Sequence, residues 1–212
     1  MNTHTTDYTD ARNAFERIRR TYRTHPSASR EFEKALETLV KTYDTAIHEN
    51  RFVVGGATEI LLCAWLRALG LQCEPRSDLR TDLHIENIAF SVKANYAHSS
   101  SVRLINVLGE SEGATWNEPT LVLIGGEGLF YIDPGMTSLQ EALRRRPDVL
   151  EIRTKAILAL ANTSWHLPLQ IPRKPPKSTV PPRIASQDVA WAVLETIESQ
   201  TLREHFPKME AS

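Results

Sequence analysis

Asp82, Ser91 and Lys93 are the residues of this chain whose types and spacing could do chemistry together. They fall in the stretch Asp82-Leu-His-Ile-Glu-Asn-Ile-Ala-Phe-Ser-Val-Lys93, where Ile85 and Ile88 flank Glu86-Asn87 and strand-type alternation runs outward from that pair. The pattern predicts a β-hairpin with a two-residue turn, Glu-Asn being a less usual turn pair than Asn-Gly. Pairing Ile85 with Ile88 sets Leu83 opposite Phe90 and Asp82 opposite Ser91. Leu83, Ile85, Ile88, Phe90 and Val92 then share an apolar face, and Asp82, His84, Ser91, Lys93 and Asn95 share the other. Opposed Cβ atoms lie within about 5.5 Å, so carboxylate, hydroxyl and ammonium can meet at one point. A carboxylate there suits a hard cation such as Mg²⁺, and a lysine beside it can orient or deprotonate a water or neutralise a phosphate. Taken singly, the same residues also describe an ordinary solvated cross-strand ion pair, worth under about 1 kcal/mol.

An aspartate, a short hairpin and then an acidic residue-x-Lys is the signature of the PD-(D/E)XK nucleases, the restriction-endonuclease-like superfamily, and this segment resembles it. The sequence departs from the pattern twice: Ser91 stands where the family has Asp or Glu, and Thr81 rather than Pro precedes Asp82. A hydroxyl is a poor Mg²⁺ ligand, so another oxygen must complete the site. Many members of the superfamily carry a glutamate on a helix before the first core strand, and Glu59 matches that placement. Gly55-Gly-Ala-Thr58-Glu59 opens an apolar run to Leu69 that stops at Gly70, which predicts a helix with Glu59 in its first turn and Gly70 as its C-terminal cap. By itself, Glu59 also reads as a residue that compensates the helix dipole. The resemblance spans roughly Gly55 to Pro134 and rests on element order.

Composition bounds the answer loosely. The chain has 212 residues, 41% hydrophobic and 24% charged, as expected for a globular protein with an ample core. A net charge of −1 gives no global indication of nucleic-acid binding, yet a cleft needs only local positive potential. Local basic clusters occur at Arg17, Arg19, Arg20 and Arg23, at Arg144-Arg145-Arg146, and at Arg173, Lys174 and Lys177. Cys63 and Cys73 lack metal-site spacing, the histidines form no zinc or HNH-type pattern, and no nucleophile elbow or Rossmann fingerprint occurs. Ile60 to Leu69 is too short for a membrane span and is broken by Arg67, so a cytoplasmic protein without membrane contact is expected.

The elements that must position the site follow from periodicity. Helical spacing of Phe15, Ile18 and Tyr22, then of Phe32, Leu36, Leu39, Tyr43 and Ile47, predicts two helices in residues 1–50, with Ser27 and Ser29 as caps, serving as a brace or a dimerisation surface. Residues 51–167 form the expected catalytic core. It comprises the Thr58 helix, a first strand near Leu71–Glu74, the Asp82–Asn95 hairpin, a helix over Ser99–Leu108, and a second hairpin, Thr120–Ile124 with Leu129–Asp133. Helices follow over Ser138–Arg146 and Asp148–Asn162, and the Pro147-Asp148 pair reads as a helix start rather than a catalytic motif. Residues 168–183 make a proline-rich linker, and residues 184–212 a last helix ending near Leu202 whose stripe of Val189, Ala190, Val193, Leu194 and Ile197 must cover something. The expected fold class is α/β (α+β): a central mixed β-sheet of restriction-endonuclease type flanked by helices, with helical additions at both ends.

Just past Lys93, the residues Asn95, His98, Ser99, Ser100, Ser101, Arg103 and Asn106 offer amide, hydroxyl and guanidinium groups for DNA, and a helix N-terminus at the serine run would add backbone N–H donors. A plain polar loop fits them as well. With the resemblance, the expectation is a Mg²⁺-dependent endonuclease acting on double-stranded DNA, similar to a type II restriction enzyme. Asp82 and Glu59 would bind metal, Lys93 would activate water, and Ser91 would hydrogen-bond nearby. The resemblance further implies a homodimer and a cognate DNA methyltransferase. A structure-directed repair, recombination or mobile-element nuclease, or an inactive DNA-binding module, remains open beside it.

Overall fold

The structure is a computed structural model that describes residues 7–43, 48–76, 81–106, 115–146, 149–173 and 186–207. The chain opens with α1 (Thr9–Thr24) and α2 (Pro26–Thr42), each amphipathic as the spacing predicts. Ala11, Ala14, Phe15 and Ile18 form the buried stripe of α1, and Phe32, Leu36 and Leu39 belong to that of α2. Pro26 takes the first position of α2, where its missing N–H costs nothing, so neither Ser27 nor Ser29 caps it. The Ser29 hydroxyl instead donates to the His25 carbonyl at 3.2 Å.

The next helix, α3 (His48–Ala68), starts about two turns earlier than Gly55-Gly56 suggested. Glu59 therefore sits mid-helix rather than in the first turn, and the dipole gives no account of it. Two glycines usually weaken a helix, but Gly56 is required by packing: a Cβ there would lie 2.5 Å from the Ser186 Oγ of the last long helix. The C-terminus closes as expected. Gly70 has φ +82°, its N–H reaches the Arg67 carbonyl, and the Leu71 N–H reaches that of Leu66, the two bonds of a Schellman cap. Leu61 to Leu66 are all fully buried, so α3 has no solvent face over that stretch and is the helix around which the others pack. Trp65 stacks on Phe32 of α2 at 4.9 Å. The stripe of α6 (Ser186–Thr196) is buried, and Gly56 meets that helix at Ser186, so the stripe covers α3 of its own chain. A short α7 (Thr201–Glu204) follows a break at Glu198, whose φ is +54°.

The main sheet is mixed. It contains β1 (Cys73–Pro75), β2 (Leu83–Ile85), β3 (Ile88–Asn95), β5 (Thr120–Ile124), β6 (Gly128–Ile132) and β9 (His166–Leu167) in that spatial order. The β2–β3 register pairs Leu83 with Phe90 and Ile85 with Ile88, as the alternation predicts. Glu86 and Asn87 both have positive φ, 53° and 64°, which is the primed turn that a two-residue hairpin needs. Non-glycine residues pay strain there, and the Glu86 carboxylate offsets it by accepting the Gln72 N–H at 3.0 Å and Arg17 at 2.8 Å. Among the described strands only β3 and β5 run parallel. Both strands of the β5–β6 hairpin are buried throughout, which places them at the centre of the core.

Three expected helices are corrected. Residues expected in a helix over Ser99–Leu108 form β4 (Ser101–Asn106). The Ser138–Arg146 region splits into one turn, α4 (Thr137–Gln140), and β7 (Leu143–Arg146). The Asp148–Asn162 region holds β8 (Val149–Arg153) and a short α5 (Thr154–Leu158). β4, β8 and β7 form a second, three-stranded antiparallel sheet. The physical reason is that Val102, Leu104, Leu150 and Ile152 bury an every-other-residue stripe, a period of two that the adjoining arginines obscure in the sequence. The Pro147-Asp148 pair, residues 174–183 of the linker and the first two residues of the last segment, 184–185, lie outside the described residues. The protein is thus mixed α/β, with a mixed multistranded sheet flanked by helices. No helix among the described residues is long and apolar enough to cross a membrane.

Candidate active site on the first hairpin

β2 begins one residue after Asp82, whose N–H bonds the Phe90 carbonyl, so the aspartate is held at the open end of the hairpin, within hydrogen-bond reach of Ser91. Its side chain gathers three donors on one oxygen, Oδ2: the Val92 amide at 2.6 Å, the Ser91 hydroxyl at 3.0 Å and the Lys93 ammonium at 3.2 Å. The convergence expected from strand alternation is present, with one member added. The Val92 N–H is free for the carboxylate because the Ser91 N–H turns to the Pro119 carbonyl, and no side-chain pattern reveals such a backbone donor. The Asp82 and Lys93 side chains keep 25% and 27% of their surface exposed, enough for a ligand to reach both.

Glu59 arrives from α3. The rotation of that helix is set by its neighbour Thr58, which is fully buried, donates to the Val54 carbonyl at 2.7 Å and shares a 2.8 Å hydrogen bond with the Tyr96 hydroxyl at the end of β3. Burial pushes the Glu59 carboxyl up to about 8, the Asp82 carboxylate pushes in the same direction, and the Lys93 ammonium opposes them. Glu59, Asp82 and Lys93 therefore share one electrostatic environment although they come from two elements. Two carboxyl groups of which one resists ionisation form a donor set that a hard divalent cation stabilises, because its charge relieves both burial and mutual repulsion. Among the described residues no group of three or more His, Cys, Asp and Glu could hold a metal ion, so waters would have to fill most of the coordination sphere. On those terms Asp82 and Glu59 would be the protein's ligands to a Mg²⁺ ion, which keeps several waters.

The residues expected to face DNA separate into groups. Asn95 is buried, and its amide bridges the Ser99 backbone and the Thr154 hydroxyl, so it builds the turn after β3. His98 occupies that turn with φ 52° and lies 3.3 Å from the Glu127 carboxylate. Ser99 and Ser100 are exposed, but their carbonyls are taken by Thr154. With a strand where a helix was expected, the phosphate site proposed for a helix N-terminus at the serine run has no basis. Ser101, Arg103 and Asn106 lie on β4, and Arg103 is exposed. The sequence reading missed Thr154 and Glu151, both buried and polar. No sequence signal marked them, because their burial depends on pairing with β4 and contact with the turn after β3.

Comparison with protein-family models, with curated proteins and with solved structures finds no match to this chain.

Proposed function

We propose that the protein is a Mg²⁺-dependent DNA endonuclease similar to the type II enzymes of the PD-(D/E)XK superfamily, hydrolysing phosphodiester bonds in double-stranded DNA. The observation that carries this reading is the convergence of Ser91, Val92 and Lys93 on one oxygen of Asp82, with Glu59 in the same field. The Val92 amide and Ser91 hydroxyl fix the carboxylate rotamer and leave Oδ1 without a hydrogen-bond donor among the described residues. Asp82 and Glu59 would hold the cation, which would neutralise charge developing on the scissile phosphate. Lys93 stands beside them to orient the attacking water and to meet negative charge on the phosphate oxygens. Water adds to phosphorus in line, the bond to the 3′ oxygen breaks, and a 3′-hydroxyl and a 5′-phosphate result. We extend the proposal to a homodimer, since two strands must be cut, and to a companion methyltransferase protecting the same site.

A catalytically inactive DNA-binding module is the second reading. It is favoured by the three internal donors that already occupy Asp82 Oδ2. The test is incubation of purified protein with phage or plasmid DNA and Mg²⁺, beside EDTA and Lys93→Ala controls. Discrete bands absent from both controls support the restriction-type reading. A smear favours a structure-directed or non-specific nuclease of the same superfamily. Intact DNA across sequences and metals favours the inactive module.

A further inference from the structure

The second sheet carries a charge pattern that its packing does not require. Val102, Ile152 and Leu143 lie opposite one another across β4, β8 and β7, and Val102 and Ile152 are buried. Strand alternation puts the next row, Arg103, Glu151 and Arg144, on the other face. Arg153 (paired with Ser101) and Arg146 extend that face on either side. All four arginines are exposed, whereas Glu151 is only 4% exposed. The Glu151 carboxylate accepts the Ser101 hydroxyl on Oε2 at 2.9 Å, and its buried Oε1, which makes no hydrogen bond, lies 3.0 Å from an Arg146 nitrogen. Arg103, Arg144 and Arg153 have no ion-pair partner among the described residues. On α1 the corresponding surplus is reduced, because Arg17 pairs with Glu86 and Arg19 with Glu16.

Unneutralised like charges on one sheet face repel and weaken the sheet. A polyanion removes that repulsion, and the planar guanidinium fork matches phosphate oxygens two at a time. The position of the face also fits. Asn95 donates to the Thr154 hydroxyl at 3.2 Å, and the Thr154 N–H donates to the Ser100 carbonyl at 2.9 Å, so the end of β3 is tied to the sheet beside Arg153. Lys93 stands two residues back along β3, about 7 Å from Asn95 at strand spacing.

We infer that this arginine face of β4, β8 and β7 is a docking surface for the phosphate backbone of duplex DNA. Arg103, Arg144 and Arg153 supply the contacts, and Glu151 anchors Arg146 within the same face. The inference rests on the nuclease reading only for the choice of DNA among polyanions. It gives Arg103 the role of holding a phosphate, a contact that positions the duplex without selecting sequence.

The test is fluorescence anisotropy with a short labelled DNA duplex in EDTA, so that binding is read without cleavage. The variants are the triple Arg103→Gln, Arg144→Gln, Arg153→Gln chain and the matching triple Arg→Lys chain, both checked for unaltered thermal unfolding. The glutamine triple is expected to lose about 30-fold or more in affinity, and the slope of log affinity against log salt to flatten by about 2.7, at ~0.9 per lost contact. The lysine triple should keep most of the slope. Equal duplex binding by the glutamine triple and the natural chain overturns the proposal, as does failure of the natural chain to bind duplex at low salt. It is likewise overturned if the arginines govern binding to RNA duplex or anionic phospholipid vesicles and leave DNA binding unchanged. Arginine-dependent binding by a chain that never cleaves supports the surface and removes the nuclease reading alone.

Discussion

Two aspartates at strand ends, Asp82 and Asp133, have opposite fates. Asp133 is fully buried at the end of β6, and both its oxygens are occupied: Arg12 of α1 grips it with two bonds, at 2.8 and 2.9 Å, and the Gly135 N–H adds a third at 2.8 Å. The Arg12 guanidinium also lies over the Trp165 ring, 5.8 Å from its centroid. That carboxylate fastens a helix to the sheet and offers no ligand an approach. Asp82 is partly exposed, spends one oxygen on a hydroxyl, an amide and an ammonium, and stands near an acid that resists ionisation. A bidentate fork satisfies a carboxylate completely, whereas point donors gathered on one oxygen leave the other available. Donor geometry and exposure thus separate a carboxylate that fastens the fold from one that a ligand can still reach.

The comparison breaks most sharply in function. Under the nuclease proposal, Asp82→Asn and Lys93→Ala are each expected to reduce DNA cleavage by about a thousandfold or more, the scale of a lost metal ligand or acid–base group, with a melting temperature shifted by only a few degrees. Gel-based cleavage rates beside calorimetry check this, and unfolding of either variant would make that residue a fastener like Asp133. Asp133→Ala should do the reverse. Removing the buried partner leaves Arg12 unpaired and should cost about 3 kcal/mol, read by urea denaturation, while the cleavage rate of the folded fraction stays unchanged.

Glu59 supplies a pH-dependent test. Its folded-state value of about 8 lies above the ordinary 4.5, so between those limits the folded protein holds a proton that the unfolded chain has released. Stability from this group is complete below about pH 4.5 and is lost as pH rises through 8. Glu59→Gln should therefore be more stable than the natural chain at pH 9, by roughly 2 kcal/mol after allowance for solvent screening, and equal to it at pH 4. Denaturant titrations at both pH values read the difference. The same variant should need more Mg²⁺ for half-maximal cleavage. Smallest is Ser91→Ala, which removes one of the three donors to Asp82 and should cost about 1 kcal/mol with at most a tenfold loss of cleavage. A thousandfold loss would promote Ser91 from positioning the carboxylate to taking part in the reaction.

The hairpin was legible because a period of two with a two-residue turn admits one register, and Leu83, Ile85 and Phe90 had to face the core together. The Schellman end of α3 was equally plain in Gly70. The second sheet was not legible. Leu143-Arg-Arg-Arg and Val149-Leu-Glu-Ile-Arg carry good helix formers, and only the pairing of β8 with the distant β4, and of β7 with β8, makes them strands. For the same reason Glu59 was seen as a candidate and misplaced within its helix: Gly55-Gly56 looks like a start until Ser186 is known to press against Gly56.

By itself, then, the sequence determined what is local: the alternation that brings Asp82, Ser91 and Lys93 to one face, and the stripes of the amphipathic helices. Tertiary structure alone decided which carboxylates were neutralised and which were left open, how far burial raised Glu59, and that four arginines and one buried glutamate would share a sheet face. Charge interactions and desolvation depend on distances between residues remote in the chain, and no periodicity encodes those.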